Sequence, residues 1–434
     1  MNYTQIKHTL YSCIDEMKQQ VHQYCEQPGK DFTRNRKLDF STMMKFIIFM
    51  EGGPMQTELL EYFDYDKDTA TSSAFIQQRY KLSHNAFPTL FAKFNQTYER
   101  KNTCNGYHLL AIDGSVISYM NNPKEEMTHT QNKQDSKGYN QITLNASYDL
   151  LEQQYVDCVL QPMHKKNEVN AAIEMIKRAT IHTNTIFIED RGYESYNLFA
   201  HIDEAGYKYL VRVKDIDSNG ILSALDLPNT AFDIQTTRVL TRKQTNKVKQ
   251  QPEKYRFIPV KQRFDFFDEN REYNISFRIV RFLISEGIYE TVITNLSKDE
   301  MSTEKIKELY HMRWRIETSF RELKYAIGLL NLHSNQQKLV EQEIYARIIL
   351  FNMCRILSKE IIMKQEKKKY QYQLNMNRFI RYIKRFLKRK SEDESPPDIN
   401  HLISMFITPV RPERSYDRKM SSKKHIMDYQ YRIS

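Results

Sequence analysis

Apolar residues recur at helical spacing through the first hundred residues of the chain. They predict a helix within Phe40–Phe63 that is broken at residues 52–54, where two glycines and a proline follow one another. A second helix is predicted to begin at Thr71, a good N-cap residue, and a third to run through residues 87–94. The pattern therefore predicts a helical N-terminal region of short helices joined by tight turns.

Beyond residue 107 the pattern changes to short apolar or alternating runs, which are typical of strands. Helical spacing returns at Val169, Ile173 and Ile176, and again in Tyr196–Ala205. Three or more strands followed by alternating helices and strands predict an α/β fold with a mixed sheet. The predicted strands cover residues 108–112, 115–119, 141–147, 155–160, 185–188 and 207–213.

The next segment, residues 215–298, is rich in predicted strands and has no obvious crossover helix, so we interpret it as an insertion. From Ser302 onward the pattern is mostly helical. The predicted organisation is a helical N-terminal region, a core in two parts separated by a β-rich insertion, and a helical, basic C-terminal region. The predicted boundaries are 1–105, 106–214, 215–298, 299–338 and 339–434.

The chain carries 65 lysines and arginines against 54 acidic residues, a formal charge of +11 over 434 residues. This excess favours a polyanionic partner, with nucleic acid ahead of an anionic membrane surface. Between Lys364 and Lys390, eleven basic residues accompany one acid, and apolar residues recur at helical spacing. This basic helix is a candidate for DNA phosphate contact, with a membrane-surface helix and a solvated face as alternatives. Its candidate contact residues are Lys384, Arg385, Lys388 and Arg389.

Several classes of protein are disfavoured by what the sequence lacks. No apolar run approaches the ~18 residues that span a bilayer, and the N-terminus has no signal-peptide core. The five cysteines are scattered without CxxC spacing, which argues against a zinc site or a disulfide framework and favours a reducing cytoplasm. Neither a GxGxxG nor a GxxxxGK loop is present, so we expect no nucleotide cofactor.

Two aspartates follow apolar runs in similar local settings. Asp113 lies in AIDGS and Asp190 in IFIEDRG, each after a predicted strand. At the carboxyl end of a strand, such a side chain projects into the crevice where α/β sheets bind ligands. Because an aspartate before a glycine also starts turns, a turn role is about as good an interpretation of each one alone.

The predicted helix over residues 302–328 places four polar side chains in one stripe. At ~100° per residue, Tyr310, Arg313, Glu317 and Lys324 fall within about 60° of one another, beside an apolar stripe. A surface ion-pair ladder accounts for the i, i+4 pair of Arg313 with Glu317, but not for the other two residues. The stripe therefore predicts a carboxylate at the edge of the core, flanked by two cations and a phenol.

Three carboxylates near one point raise one another's pKa unless a cation joins them. Magnesium, which prefers oxygen ligands, meets this need. Two such ions can activate a water and stabilise the leaving oxygen of a phosphodiester. Arginine, lysine and tyrosine beside the acids are suited to holding DNA phosphates, so phosphodiester hydrolysis or transfer fits both the acids and the basic charge.

The spacing Tyr310-x2-Arg313-x3-Glu317-x6-Lys324, within YHMRWRIETSFRELKYAIGL, resembles the Y-R-E-K signature of insertion-sequence transposases of the IS4 family. The aspartates of AIDGS and EDRGY resemble the first and second acidic motifs of that family. The order of helical N-terminal region, core, β-rich insertion and helical C-terminus is also similar. The resemblance covers most of the chain and is specific over about residues 107–335.

The resemblance implies a ribonuclease-H-like catalytic core and a DDE triad of Asp113, Asp190 and Glu317 that holds two Mg²⁺ ions, with Mn²⁺ as an alternative. It implies cut-and-paste DNA transposition, in which a water and then a 3′-hydroxyl attack phosphodiesters at the ends of the element. The expected partners are double-stranded DNA, as transposon ends and target, and a second copy of the chain in a homodimeric synaptic complex. The expected location is the bacterial cytoplasm, on the nucleoid.

The same resemblance implies DNA contacts around the triad. Tyr310, Arg313 and Lys324 are expected to hold phosphates near the cut end. The N-terminal helices are expected to bind DNA, and a helical packing domain is the alternative interpretation. Arg191 is a candidate phosphate contact, and a structural ion pair is equally compatible with its position.

Aromatic residues form a further group of candidate DNA contacts. In studied relatives a tryptophan of the insertion stacks on a flipped base during hairpin formation. The only tryptophan here, Trp314, lies in the signature helix, and Tyr289 is the aromatic residue near the end of the insertion. The alternative for Tyr289 is a strand tyrosine that packs on its own sheet.

Two other functions are compatible with this reading of the sequence. A related nuclease of the same fold, without strand transfer, would share the triad. A catalytically inactive, transposase-derived DNA-binding protein or repressor would retain the fold and lose the site. All three acids and the four signature residues are present, which argues against decay of the site.

Overall fold

The computed structural model describes residues 3–34, 36–131, 138–179, 184–359, 372–388, 401 and 407–409. Its centre is a ten-stranded mixed sheet with helices on both faces, so the predicted α/β class is confirmed. The sheet strands are β1 (His108–Tyr119), β2 (His129–Thr130), β3 (Tyr139–Asp149), β4 (Gln154–Pro162), β5 (Thr185–Glu189), β6 (Lys208–Arg212), β7 (Phe232–Thr241), β8 (Tyr255–Phe257), β9 (Glu272–Ser285) and β10 (Ile288–Thr294).

The helices precede the sheet, connect its strands and follow it. A small separate sheet pairs β11 (Tyr372–Leu374) with β12 (Ile407–Pro409). The α-helices are α1 (Tyr3–Gln19), α2 (Phe40–Phe49), α3 (Met55–Tyr62), α4 (Ser72–Arg79), α5 (Ala86–Gln96), α6 (Glu168–Arg178), α7 (Tyr196–Glu204), α8 (Asn246–Gln250), α9 (Thr303–Met312), α10 (Trp314–Glu322), α11 (Gln337–Lys359) and α12 (Met376–Leu387).

The first part of the central sheet joins an antiparallel half to a parallel half. Strands β4, β3 and β1 are antiparallel neighbours, whereas β1, β5 and β6 run parallel to one another. A parallel pair needs a crossover connection, which α7 supplies between β5 and β6. β1 is therefore the strand at which the sheet changes from antiparallel to parallel pairing.

Different helices cover the two faces of the sheet. Helices α1–α5 and α9–α12 share one core with residues of β1 such as Leu109 and Ala111. Helices α6 and α7 cover the other face, toward which Leu110 and Ile112 point. Because side chains alternate along a strand, the next residue, Asp113, points toward the face that carries α10.

β1 differs from the prediction. The sequence predicts two strands, at residues 108–112 and 115–119, but the structure has one strand of twelve residues. Its antiparallel partner β3 pairs with it over Leu110–Tyr119 without a break, which keeps the strand extended. The parallel partner β5 pairs only as far as Ile112. Asp113 therefore marks the end of parallel pairing and not the end of the strand.

The predicted helices of the N-terminal region are confirmed. Thr71 caps α4, since its hydroxyl accepts a hydrogen bond from the backbone N–H of Ala74 at 3.2 Å. α2 and α3 are separated at the predicted glycines. A Cβ atom at Gly52 would lie only 2.8 Å from the side chain of Asn331, so the turn needs a glycine at this close approach. A DNA-binding role for these helices stays a prediction.

The longest helix, α11, lies between the N-terminal helices and the sheet and is buried along most of its 23 residues. Glu343 on α11 pairs with Arg79 at 2.9 Å and lies 3.1 Å from Nδ1 of His333. Glu58 lies 3.4 Å from Nε2 of His333, and Arg347 donates to a main-chain carbonyl at the end of α2. We call these five residues the buried ion network. Within the described ranges, neither α11 nor any other helix is long and apolar enough to cross a membrane.

The segment predicted as an insertion is β-rich and continues the central sheet. β10 pairs antiparallel with β6, and β9, β7 and β8 follow in that order. Two arginines of β9 hold this segment through paired hydrogen bonds. Arg278 binds Asp233 at 2.8 and 2.6 Å, and Arg281 binds Asp215 at 2.8 and 2.9 Å. The predicted domain boundaries stay a prediction.

Candidate active site

Asp113 and Asp190 lie side by side where two parallel strands stop pairing. The last paired residues of β1 and β5 are Ile112 and Glu189, so the next residue of each strand is one of the two aspartates. Alternation along both strands turns the two carboxylates toward the face that α10 covers. The structure therefore brings together the two aspartates that the sequence singles out.

Glu317 reaches the same place from α10, which packs against β1. The guanidinium of Arg313 lies 2.9 Å from Oε1 of Glu317 and 3.9 Å from Oδ2 of Asp113. The Arg313 side chain is 4% exposed, whereas that of Glu317 is 40% exposed. One buried arginine thus bridges the acid of the helix and an acid of the sheet.

The charges of the site do not balance. Burial raises the pKa of Asp113 to about 7, and the carboxylates of Asp190 and Glu317 act in the same direction. The N–H of Gly114, 2.8 Å from Oδ1 of Asp113, and the guanidinium of Arg313 both lower that pKa. Arg313 therefore offsets only part of the effect that burial and the two neighbouring carboxylates have on the pKa of Asp113.

The donor chemistry of this site suits a divalent cation. Carboxylate oxygens are the ligands that Mg²⁺ and Mn²⁺ take, and a cation would relieve the repulsion that raises the pKa of Asp113. Over the described residues, no three His, Cys, Asp or Glu side chains converge closely enough to hold an ion as they stand. The acids therefore fit a metal by type, and in this structure an arginine bridges two of them.

Sequence reasoning missed a fourth acid close to the site. Glu168, the first residue of α6, lies so near β1 that a Cβ atom at Gly114 would be 2.7 Å from its Oε1. Lys166 pairs with the same oxygen at 2.9 Å. This close approach places the carboxylate of Glu168 beside the residue that follows Asp113. An acid in the first turn of a helix is common, so nothing in the sequence distinguishes Glu168.

The remaining residues of the predicted signature, Tyr310 and Lys324, lie before and after the acid-bearing helix α10. Tyr310 is 2% exposed, and its ring centre lies 5.9 Å from the guanidinium of Arg313. Burial raises the pKa of Tyr310 to about 12. Lys324 lies in the π-helical turn Leu323–Ile327 that ends the acid-bearing helix. Tyr310 and Arg313 thus lie inside the protein beside the acids, and their contact with DNA phosphates stays a prediction.

Three more candidate DNA contacts lie around this centre. Trp314 is 40% exposed, and its ring lies 4.9 Å from the guanidinium of Arg313. Arg191 is exposed in the short turn that follows β5. The ring of Tyr289 is covered on one side by Arg281, whose guanidinium lies 3.8 Å from the ring centre. Base stacking by either aromatic residue stays a prediction.

Of the basic segment predicted over residues 364–390, residues 376–387 form α12, whereas residues 364–371, 389 and 390 lie outside the described residues. Not all cations of α12 face solvent. Lys384 donates to a carbonyl of the π-helical turn at 3.1 Å, and Lys388 pairs with a glutamate of α3 at 2.8 Å. Arg385 is exposed, and Arg389 lies outside the described residues. Lys384 and Lys388 therefore hold the helix on the protein, and DNA contact by the four predicted residues stays a prediction.

No curated protein matches the sequence of this chain. Among solved structures, the cryo-EM structure of the piggyBac transposase synaptic complex with hairpin DNA aligns with a TM-score of 0.46 at 12% identity, covering 96% of this chain and 86% of that chain. The sequence profile of the transposase DDE domain matches residues 105–353, more than half of the chain, including β1, β5 and α10. The chain therefore belongs to the family of transposases with a DDE domain.

Proposed function

We propose that this chain cuts DNA at the ends of a mobile element and joins the released 3′ ends to target DNA, by a cut-and-paste route. The observation that carries the proposal is the placement of three acids at one edge of the sheet inside a DDE domain. Asp113 and Asp190 end the parallel pairing of two strands, and Glu317 approaches from the helix packed on β1. A net charge of +11 supports double-stranded DNA as the partner.

The same three acids would hold Mg²⁺ or Mn²⁺, which when bound supplies a water of lowered pKa and neutralises charge on the leaving oxygen. Arg313 positions the carboxylate of Glu317 through the 2.9 Å ion pair. The backbone N–H of Gly114 fixes one oxygen of Asp113, which leaves the other oxygen on the side of Arg313. The chain thus orients its acids before a substrate arrives.

The strand order supports a finer classification of the core as ribonuclease-H-like. Three antiparallel strands are followed by two parallel ones in the order β4-β3-β1-β5-β6. The sequence predicts one helix over residues 302–328, whereas the structure divides it into α9, α10 and the π-helical turn. The succession of Tyr310, Arg313, Glu317 and Lys324 along these three segments supports the Y-R-E-K signature and membership of the IS4 family. A homodimer that pairs two transposon ends is part of the same proposal.

The test uses a plasmid that carries this gene with its native flanks, incubated with the full chain and Mg²⁺. We expect the wild type to release the element and to join its 3′ ends to a second plasmid. Glu317→Gln should bind the flanks and release nothing, because it removes one anionic metal ligand and the charge partner of Arg313 while it keeps the size of the side chain. Glu308→Gln is the matched control, since Glu308 is exposed on the preceding helix and pairs with Lys305 at 2.8 Å.

Each rival function predicts a different product. Release without joined 3′ ends would identify a nuclease of the same fold. Flank binding by wild type and Glu317→Gln, with no cutting by either, would favour a DNA-binding remnant or repressor. Equal cutting by wild type and Glu317→Gln would contradict the assignment of the triad.

A further inference from the structure

A groove lies between the end of the acid-bearing helix and α12, and we call it the Tyr325 groove. It joins two cavities of about 480 and 750 Å³, and Tyr325 and Asn377 line both of them. One wall is formed by α10 and the π-helical turn, and the other by the first two turns of α12. The lining side chains that matter here are Thr318, Arg321, Tyr325, Asn377, Arg378 and Arg381.

The Tyr325 groove is cationic. Arg321, Arg378 and Arg381 are exposed, and among the residues that the structure describes none of them pairs with a carboxylate. The two acids of the lining each have a cation of their own. Glu322 of α10 pairs with an arginine of α11, and Glu51 lies 3.7 Å from Lys384. Three arginines are therefore left to attract an anionic ligand.

The groove also presents an aromatic ring beside the acid site. The side chain of Tyr325 is 61% exposed, which is unusual for an aromatic residue at the end of a packed helix. Thr318 and Arg321 of α10 line the groove together with Tyr325, which lies in the π-helical turn. Because Thr318 follows Glu317 directly in the chain, the groove runs along the acid-bearing helix away from Glu317.

Both walls of the groove are anchored. The carbonyl of Ile327 accepts a hydrogen bond from Lys384 at 3.1 Å, which ties α12 to the π-helical turn. Gly328 ends that turn in the left-handed region, with φ of 93°, which favours glycine. Phe379 and Ile383 bury the apolar side of α12 in the core. The arginines of α12 are thus held at a fixed place opposite Tyr325.

We propose that the Tyr325 groove binds an unpaired DNA strand, with a base stacked on Tyr325 and phosphates paired to Arg321, Arg378 and Arg381. Guanidinium groups suit phosphate oxygens, and an aromatic ring suits a base whose faces are free. A base within a duplex has both faces covered by its neighbours, so the ring selects unpaired DNA. The inference rests on the proposed function, which supplies such a strand next to a cut end.

The test measures binding of a fluorescent thymidine oligonucleotide of about 16 nucleotides to the full chain in EDTA, so that no cleavage occurs. Tyr325→Ala should weaken binding at least about fivefold, and Tyr325→Phe should bind like the wild type, because stacking needs the ring and not the hydroxyl. Replacing the thymidines by 5-iodouracil should give a photo-crosslink to Tyr325 in the wild type.

The charge of the groove is tested by a pair of double variants. Arg378→Gln with Arg381→Gln should weaken binding and lower the slope of log K against log salt by about 1.4, since each phosphate contact to a single strand contributes ~0.7. Lys177→Gln with Lys249→Gln removes the same charge from exposed positions outside the groove and is the matched control. An equal loss in both double variants would show that only net charge matters and would overturn the proposal.

Two further results would also overturn it. One is an affinity and a salt slope of Tyr325→Ala that equal those of the wild type. The other is that Tyr325→Ala loses as much affinity for a blunt duplex of the same length as it loses for the single strand. The outcome is separable from that of the proposed function. A chain that never cuts but loses strand binding in Tyr325→Ala retains the groove and refutes the transposase proposal. Cutting and joining by the wild type, together with normal strand binding by Tyr325→Ala, would support the transposase proposal and refute the groove proposal.

Discussion

The buried ion network and the acid site both place several charges close together, yet they treat those charges in opposite ways. In the network, Glu343 has Arg79 at 2.9 Å and His333 at 3.1 Å. Although burial works against ionisation, Arg79 and His333 lower the pKa of Glu343 to about 2. In the acid site, burial and neighbouring acids instead raise the pKa of Asp113 to about 7.

The difference separates a charge cluster that stabilises the fold from the cluster that we propose to be the active site. A buried acid with cationic partners is stable as it stands and joins the helices that carry the partners, here α4 and α11. Acids gathered at a half-exposed edge with one arginine between them are held in mutual repulsion by the fold around them. Such a site lowers the free energy of unfolding, and a bound cation raises it again.

Glu343→Gln should lower the free energy of unfolding by about 3–5 kcal/mol, because it leaves the buried Arg79 without its carboxylate and removes one of the two acids beside His333. Glu341→Gln, two residues earlier on α11, should cost less than about 1 kcal/mol, since Glu341 accepts one hydrogen bond, from Gln337. Urea unfolding of both variants measures the difference. Equal losses in the two variants would show that the network does not hold α4 on α11.

Mg²⁺ should raise the free energy of unfolding of the wild type by about 1.4–2.7 kcal/mol at roughly 10 to 100 times its dissociation constant. Asp113→Asn should show no such gain, because the ligand set is broken. Thermal unfolding with Mg²⁺ and with EDTA measures both proteins. A gain of the same size in Asp113→Asn would place the bound ion elsewhere.

The network should also make stability depend on pH through His333. Burial opposes its charge, but Glu343 and Glu58 raise its pKa above the usual value. Protonated His333 therefore contributes stability that is full below its unfolded pKa of about 6.5 and is lost as the pH rises through the higher folded value.

The excess stability of the wild type over His333→Gln should accordingly shrink on the order of 1 kcal/mol between about pH 6 and about pH 8.5. Paired urea unfolding curves at the two pH values measure this change. A difference that stays constant would mean that folding does not change the pKa of His333, and one that grows with pH would mean that folding lowers it; either result would contradict the prediction.

The smallest effect is expected for Asp113→Asn without a metal. Its free energy of unfolding should lie within about 1 kcal/mol of the wild type and on the stabilising side, because the change removes a repelled carboxylate. DNA end cleavage should be lost in the same protein. A destabilisation as large as that of Glu343→Gln would mean that the acid site is structural.

The sequence predicts the local settings of the three acids because that information is short-range. The apolar runs before the two aspartates form strand in the structure, although Asp113 itself lies inside β1, and Glu317 lies on a helix as predicted. The sequence does not predict that β1 is a single strand. The chain stays extended beyond Asp113 because it pairs there with β3, and such a tertiary contact is not visible in the local pattern.

The buried ion network and Glu168 could not be predicted in the same way. Arg79 and Glu343 are 264 residues apart, so no spacing in the sequence joins them. Glu168 looks like an ordinary acid at a helix start until packing brings it to Gly114. The sequence also does not show which cations of α12 are buried. Lys384 resembles its basic neighbours in sequence, but in the structure it donates a hydrogen bond to the π-helical turn.

The central claim is that Asp113 belongs to a divalent metal centre that cleaves DNA, and a metal switch at that position tests it most directly. The measurement is end cleavage by Asp113→Cys in Mg²⁺ and in Mn²⁺, because a thiolate is a poor ligand for Mg²⁺ and a better one for Mn²⁺. We predict cleavage by the wild type with both ions, and cleavage by Asp113→Cys with Mn²⁺ alone. Cleavage by Asp113→Cys in Mg²⁺ at the wild-type rate would contradict the claim.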